Sequence, residues 1–406
     1  MKFEDFILQH SGYDLARLAL SRESHLADVE DWDLALSTME SRLKIRDKVP
    51  EWYALPSLRY PFKLSAEQCS STVTARYKAS VAFSASGGGC IADLTGGLGV
   101  DSWAFSSLFD RVLYNEMQAT LSEASSYNFA VLGAGGITVR SMELAPGNLT
   151  AVLDGFSPDI IFLDPARRAL DGRKVFRLED CTPDVLSLLD ELLAACPLLL
   201  LKLSPMADIS LVCKQLRFVR EVHVVATGGE CKELLLLLER GFSGTPRTIL
   251  FEDGATLAVT HSGVGDTVKP PPSYAAESGH GFDGVSLPAK WLFEPGKAMM
   301  KAGAYGLPCS YGLTKLEEHT HIYVGDVVPE ELKPFGKMMQ IVEWLPLNKK
   351  TLKDLGKRYP EAGVTAKNIP FTSEQLKARL GVKDGNRYRI FGLKAVSGNV
   401  LIVCCV

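Results

Sequence analysis

The feature that most constrains this chain is a regular alternation of short apolar runs with helical patterns between residues 90 and 238. Seven runs read as strands: Cys90–Leu94, Arg111–Asn115, Gly136–Arg140, Asp159–Leu163, Pro197–Leu203, Glu221–Ala226 and Glu233–Leu238. Helical periodicity fills the gaps between the first six, whereas only "TGGECK" separates the last two. Strict alternation predicts a mostly parallel sheet covered by helices on both faces. So short a final link cannot make a right-handed parallel crossover, so the seventh strand is expected to run antiparallel to the sixth. The expected core is an α/β doubly wound sheet of seven strands, six parallel and the last antiparallel.

Around this core the texture changes. At 406 residues the chain is long enough for two to four domains. Residues 1–64 read as a helical domain, with apolar residues at three- and four-residue spacing in "LARLALS" and "WDLALSTMESRLKIR". After the prolines of "YALPSLRYPF", the stretch "SAEQCSSTVTARYKASVAF" reads as one helix capped by Ser65, with Glu67 and Gln68 in its first turn. The sheet domain is expected over 65–245. Residues 246–284 hold a strand pair, "RTILFEDGATLAV", turning at Asp253-Gly254, and a Pro/Gly/Ser-rich linker, "KPPPSYAAESGHGFDG". A small α/β module (285–326) and a basic module (327–406) complete the chain.

Charge and cysteine content narrow the setting. The net charge of −4 conceals a gradient: residues 330–406 carry fourteen Lys or Arg against seven Asp or Glu. A basic end on an acidic chain suits either a nucleic-acid contact or a solvated face. The start, "MKFEDFILQHSGYD", lacks the basic region and long apolar stretch of a signal peptide. The run "LLLLLER" is far too short to cross a bilayer. Nine cysteines form no CxxC pair or zinc-like spacing, and the seven histidines form no cluster (His319 and His321 lack further ligands). The expectation is a cytoplasmic protein with reduced thiols, no metal and no membrane span; the oligomeric state is left open.

The chemistry concentrates at "CIADLTGGLGVDSWAF". In open parallel sheets ligands bind at the carboxyl ends of strands, where the strand order reverses. Gly96, Gly97 and Gly99 let the backbone turn sharply and approach a ligand closely. Asp93 ends the first strand and Asp101 follows the turn, so a pyrophosphate is poorly matched here while a cofactor carrying cationic groups is welcome. That favours S-adenosylmethionine over a nicotinamide dinucleotide. Glu116, in "RVLYNEMQA" after the second strand, stands where an acid accepts both hydroxyls of an adenosyl ribose. Met117 beside it is placed to pack on adenine, and Glu143, in "VRSMELA", to accept from the adenine amino group.

The sharpest element is "DIIFLDPARR". Pro165 stiffens the exit from the fourth strand and fixes Asp164 over the crevice, where a carboxylate orients the accepting atom or takes its proton. Arg167 and Arg168 suit substrate phosphates or surface ion pairs. Lys202 and Ser204 leave the fifth strand at the same rim, and a lysine ending so apolar a strand must reach solvent or a partner. Gln68 and Arg76 are placed to close over the cofactor. The candidate catalytic residues are Asp164, Pro165, Arg167 and Lys202. The candidate cofactor contacts are Asp93, Thr95, Gly96, Gly97, Gly99, Asp101, Glu116, Met117, Met142, Glu143 and Asp164.

Asp93 with Gly96-Gly97-x-Gly99, Glu116 and Asp164-Pro165, in register over roughly residues 65 to 240, resemble a class I S-adenosylmethionine-dependent methyltransferase with its Rossmann-like sheet. The whole chain, through "EQCSSTVTARYKA", "DPARR", "LKLSP" and "GGECKE", resembles a bacterial family of candidate methyltransferases with a C-terminal THUMP-like domain. The resemblance implies a ferredoxin-like module before that domain and, because THUMP domains are associated with RNA binding, an RNA (tRNA or rRNA) methyltransferase. One departure is that Ala166 and Arg167 stand where amino-group methyltransferases acting on bases carry a stacking aromatic. Asp-Pro-x-Arg is closer to uridine C5 methyltransferases, but Cys196 and Cys231 read as ordinary thiols rather than as the nucleophile those enzymes need. In the basic module Phe371, Tyr388 and Phe391 suit either base stacking or a small core. The alternatives are a methyltransferase acting on a protein or small molecule, and a catalytically inactive RNA-binding protein that keeps the fold.

Overall fold

The computed structural model describes residues 2–20, 29–167, 178–259 and 289–406. The linker "KPPPSYAAESGHGFDG", Arg168 and the side chain of Arg167 lie outside the described residues. The chain divides into two compact units, Met1–Val222 with Glu233–Pro246, and His223–Lys232 with Arg247–Val406.

The helical start is present, in helices Phe3–Gln9, Leu15–Leu20, Trp32–Ile45 and Pro50–Tyr53. Their apolar faces bury Phe6, Ile7, Leu18, Trp32, Ala35 and Met39 in one cluster. The single helix expected from Ser65 is instead two. A short helix, Lys63–Gln68, stops at Cys69, and a longer one, Thr72–Ser86, starts after Ser71. The reason is local: Ser71 and Thr74 form a reciprocal capping box that nucleates the second helix, and Gly87 closes it at φ +80°.

The sheet strands are β1 (Cys90–Asp93), β2 (Arg111–Asn115), β3 (Ile137–Arg140), β4 (Ile160–Leu163), β5 (Ala166–Arg167), β6 (Cys181–Thr182), β7 (Leu198–Leu203), β8 (Val219–Thr227), β9 (Glu230–Glu239), β10 (Arg247–Glu252) and β11 (Ala255–Val259). The order across the large sheet is β11-β10-β8-β9-β7-β4-β1-β2-β3. β3, β2, β1, β4 and β7 are mutually parallel, and β9 runs antiparallel to β7. The Gly228-Gly229 turn, at φ +61° and +76°, makes β8 and β9 the expected hairpin. Central strands such as Ile160–Leu163 are buried throughout, as a sheet covered on both faces requires.

Among the described residues the sheet has nine strands rather than the expected seven. The additional two are the pair that turns at Asp253-Gly254, with φ +46° and +96°. Local pattern places this pair outside the sheet, but β10 lies beside β8. An edge strand with open N–H and C=O groups invites such an extension, and local sequence carries no signal for it.

A second sheet of seven strands is built from β12 (Trp291–Pro295), β13 (Thr314–Lys315), β14 (Tyr323–Gly325), β15 (Gly336–Pro346), β16 (Gly363–Lys367), β17 (Tyr388–Ala395) and β18 (Gly398–Cys405), in the order β13-β14-β12-β15-β18-β17-β16. The eleven-residue β15 pairs with both β12 and β18. Helices Lys349–Arg358 and Ser373–Leu380 cover one face through Leu352, Leu355, Leu376 and Leu380. Phe391, on β17 at 0% exposure, belongs to a buried core cluster with Leu292, Ile341 and Ile402, so base stacking is closed to it. Tyr388 packs edge-on against Tyr359 at 4.9 Å, and the Arg379 guanidinium lies 4.3 Å from the Phe371 ring centre.

Candidate functional site

The strand order reverses at β1: β2 and β3 lie to one side and β4 and β7 to the other. A crevice at the carboxyl ends of these strands is the place where such sheets bind ligands. The glycine turn crosses it. Leu94 N–H donates to the Phe162 carbonyl at 3.1 Å, and Gly96 N–H to the Asn115 carbonyl at 2.8 Å. Gly97 and Gly99 adopt φ of +53° and +88°, the region glycine occupies freely. A Cβ on Gly96 would stand 2.2 Å from the Tyr114 ring, and one on Gly99 2.5 Å from Phe129. The turn is therefore pressed onto two aromatic rings, and Tyr114 adds a 2.5 Å hydrogen bond from its hydroxyl to the Gly97 carbonyl.

Glu116 is nearly buried at the end of β2. Its Oε2 accepts from Gly97 N–H at 3.0 Å and its Oε1 from Gln118 N–H at 2.9 Å. One carboxylate thus ties the glycine turn to the loop after β2, and each oxygen retains a lone pair for a further donor. Asn115 is a site residue that the sequence motifs do not reveal. Its amide donates to the Met142 carbonyl at 2.9 Å and accepts from Met142 N–H at 3.1 Å, fixing the loop after β3. An asparagine ending an otherwise apolar strand is the signal that points to it. Met142 is half-buried, whereas Met117 and Glu143 are exposed.

Asp93 and Asp101 are not open carboxylates. Asp93, 1% exposed, takes the Ser102 hydroxyl on Oδ2 at 2.6 Å and Thr95 N–H on Oδ1 at 3.2 Å. Burial pushes its carboxyl up to about 8, against the pull of the Ser102 hydrogen bond. Asp101 accepts from the Ser70 hydroxyl at 2.8 Å and stands 3.2 Å from the Lys78 ammonium. Lys78 is wholly buried and also donates to Glu233 at 2.8 and 3.1 Å and to Ser70 at 2.9 Å. Neither Lys78 nor Glu233 stands out in the sequence. A lysine inside a helix reads as a solvated residue until its neighbours are known.

On the other side of the crevice Thr95 Oγ1 accepts from Asp164 N–H at 2.6 Å. The Lys202 ammonium lies 2.5 Å from Asp164 Oδ2. Burial alone would lower the Lys202 pKa, but the carboxylates of Asp164, Glu233 and Asp101 outweigh it and hold Lys202 above its ordinary value. Pro165 is buried behind Asp164, and the backbone of Ala166 and Arg167 pairs antiparallel with Cys181 and Thr182. Thr95, Gly97, Glu116, Asp164 and Lys202 are thus brought together around one crevice.

Arg76 pairs with Glu51 at 3.0 Å, Gln68 is exposed, and Ser204 Oγ accepts from Met206 N–H at 3.2 Å. Cys196 is buried between the carbonyls of Pro158 and Leu198, each 3.3 Å away, and burial raises its thiol pKa. Cys231 is half-buried on β9. Among the described residues, no group of three or more His, Cys, Asp and Glu side chains could hold a metal ion, and no helix is long and apolar enough to cross a membrane.

The chain is similar over 99% of its length to the crystal structure of a candidate methyltransferase from Porphyromonas gingivalis W83, 97% of which is covered, at a TM-score of 0.82 and 27% identity. Residues 291–332 match a ferredoxin-like domain family and residues 336–405 the THUMP domain-like family. Partial similarities include a candidate RNA methyltransferase from Pyrococcus horikoshii (15% identity, 34% of this chain and 63% of that one, TM-score 0.26). Another is an rRNA methylase from Streptococcus thermophilus (13% identity, 41% and 93%, TM-score 0.29). The sequence matches no curated protein. The mixed α/β sheet and its crevice define a protein of the methyltransferase fold. This one carries a ferredoxin-like segment and ends in a THUMP-like domain.

Proposed function

We propose that the chain transfers the methyl group of S-adenosylmethionine to RNA. The observation that carries this reading is Glu116, a nearly buried carboxylate anchored to the glycine turn by Gly97 N–H with acceptor capacity to spare. An adenosyl ribose presents two hydroxyl donors, which suit it. When bound, the cofactor supplies an electrophilic methyl on a cationic sulfur. Gly96, Gly97 and Gly99 give it close backbone approach, with Thr95, Met117, Met142 and Glu143 at the margins. Asp93 would act through the turn, which it holds by accepting from Thr95 N–H.

Asp164 is the residue that orients the accepting atom, or takes its proton. Its backbone is fixed by Thr95 and its carboxylate by Lys202, so little reorganisation is needed at the moment of transfer. Pro165 removes slack from the same exit, and Arg167 is proposed to meet substrate phosphate. The THUMP-like domain and a row of exposed lysines support RNA as the acceptor. Lys349, Lys353 and Lys357 recur every four residues on helix Lys349–Arg358, with Lys350 beside them. Most other cations of this segment are engaged, Lys367 with Glu294 and Lys377 with Asp384 among them. The reading is tested by calorimetry with S-adenosylmethionine and by comparing methylated nucleosides from cells with and without the gene. Cofactor binding and one missing methylated nucleoside are expected. No binding by the intact chain would sink the enzyme reading, and an unchanged nucleoside profile would sink the RNA reading.

A further inference from the structure

The buried cluster of Lys78, Glu233, Asp101 and Ser70 is absorbed neither by the cofactor contacts nor by the transfer step. Lys78 has no exposure, and Glu233 only 3%. Buried ion pairs are an expensive way to hold a fold, because apolar residues of similar volume commonly do as well or better. The position of this pair points to a reason. In the antiparallel β7–β9 register Lys202 faces Leu235, so Glu233, two residues on, projects from the same face as a diagonal neighbour of Lys202.

We propose that Glu233, itself fixed by Lys78, is a positioning residue that holds the Lys202 ammonium against the Asp164 carboxylate. Two sets of contacts adjoin here, related by the diagonal placement of Glu233 beside Lys202 on the sheet face rather than by a direct bond. Ser70 and Asp101 hold Lys78, at 2.9 and 3.2 Å; Lys78 holds both oxygens of Glu233, at 2.8 and 3.1 Å; Lys202 meets Asp164 at 2.5 Å; and Asp164 N–H meets Thr95. The break between helices Lys63–Gln68 and Thr72–Ser86 brings Ser70 to Asp101, so the capping box at Ser71 serves this assembly. With Glu233 and Asp101 balancing both ammonium groups, Lys202 stays charged and aimed, and Asp164 stays an acceptor.

The charged and titratable groups around Lys202 are Asp164, Glu233, Asp101, Lys78 and the Cys69 thiol, with Asp93 adjoining Asp101 and Asp164. Burial keeps the Cys69 thiol protonated, pushed up to about 11, and burial also raises the Glu233 carboxyl against the opposing pull of Lys78 and Lys202.

This inference rests on the assignment of Asp164 to methyl transfer, but its test does not depend on an acceptor. The intact protein is labelled with acetic anhydride between pH 7 and 11, and acetylation of Lys202 is followed by mass spectrometry with exposed Lys349 as internal reference. Glu233→Gln is expected to raise the Lys202 rate at pH 9 about tenfold, the effect of lowering its pKa by roughly one unit. Glu233→Asp, which keeps the charge, returns it toward the wild-type rate, a rescue that a merely structural role does not produce. The double variant Lys78→Met/Glu233→Leu removes both buried charges, so it guards against loss of the fold and labels as fast as Glu233→Gln. An unchanged Lys202 rate in a folded variant overturns the proposal. If no variant folds, the wild-type curve decides, and a Lys202 midpoint at or below that of Lys349 overturns it. Calorimetry with S-adenosylmethionine on the same samples reads the cofactor site separately. Loss of binding by the wild type would remove the functional reading while leaving the Lys202 result standing.

Discussion

Lys202 Nζ lies 2.5 Å from Asp164 Oδ2, joining the ends of two neighbouring parallel strands, β4 and β7, across the crevice. In this pair the carboxylate is the acceptor and the ammonium holds it in place. Lys202→Met is therefore predicted to slow methyl transfer by about 10²-fold or more. Cofactor affinity, measured by calorimetry, should change by less than about threefold. A variant that loses affinity and rate together would show that Lys202 belongs to the cofactor site instead.

Glu116→Ala removes the acceptor of Gly97 and Gln118 N–H groups together with the proposed ribose contact. Loss of charge-assisted hydrogen bonds of this kind is expected to weaken S-adenosylmethionine binding by about 10²-fold. Calorimetry checks it, and an unaltered Kd rules out the ribose assignment.

Asp93 gives a stability prediction with a definite sign. Burial lifts its carboxyl from the usual carboxylate range to about 8, so the folded chain keeps a proton that the unfolded chain gives up. Its contribution is fully present below the unfolded pKa of roughly 4 and falls away as pH rises through about 8. Asp93→Asn, neutral at every pH, is predicted to be more stable than the wild type at pH 8, on the order of a few kcal/mol, with little difference near pH 4. Urea unfolding at both pH values tests this; equal stability gaps would contradict it.

Gly99→Ala places a methyl 2.5 Å from Phe129 at φ +88°. A cost of about 2 kcal/mol or more is expected from the steric clash and backbone strain combined. Phe129→Leu in the same chain should recover part of the loss if the ring is the obstacle. No recovery would assign the whole effect to the backbone.

Lys349→Glu, Lys353→Glu and Lys357→Glu, made singly, are predicted to weaken RNA binding uniformly across sequences. Each should flatten the dependence of log K on log salt by about 0.7 to 0.9 for every phosphate that the variant no longer neutralises. Fluorescence anisotropy against a structured and a single-stranded RNA measures both. An unchanged slope in all three variants would rule this helix out as the proposed RNA contact.

The alternation of apolar runs and helical patterns makes the sheet legible, because side-chain period and turn residues are local properties. Strand positions from Cys90 to Leu238 and the hairpin at Gly228-Gly229 can be read directly, as can the gathering of Asp93, Gly97, Glu116 and Asp164 at one end of the sheet. Helix caps are less legible. Ser65 and Ser71 offer the same chemistry, and only the reciprocal bond with Thr74 selects Ser71.

The order of strands and helices, and the kinds of side chain that meet at the crevice, are thus already written in the residues. Which of those side chains are open to a ligand is settled by long-range packing alone. Asp93 and Asp101, which read as open carboxylates, are consumed by Ser102, Thr95, Ser70 and Lys78. The pairing of Lys78 with Glu233, 155 residues apart, joins the second helix of the broken pair to the ninth strand. Periodicity reports only which face of an element is apolar. The burial, and hence the ionisation and pairing, of a charged group depends on atoms that distant segments bring to it.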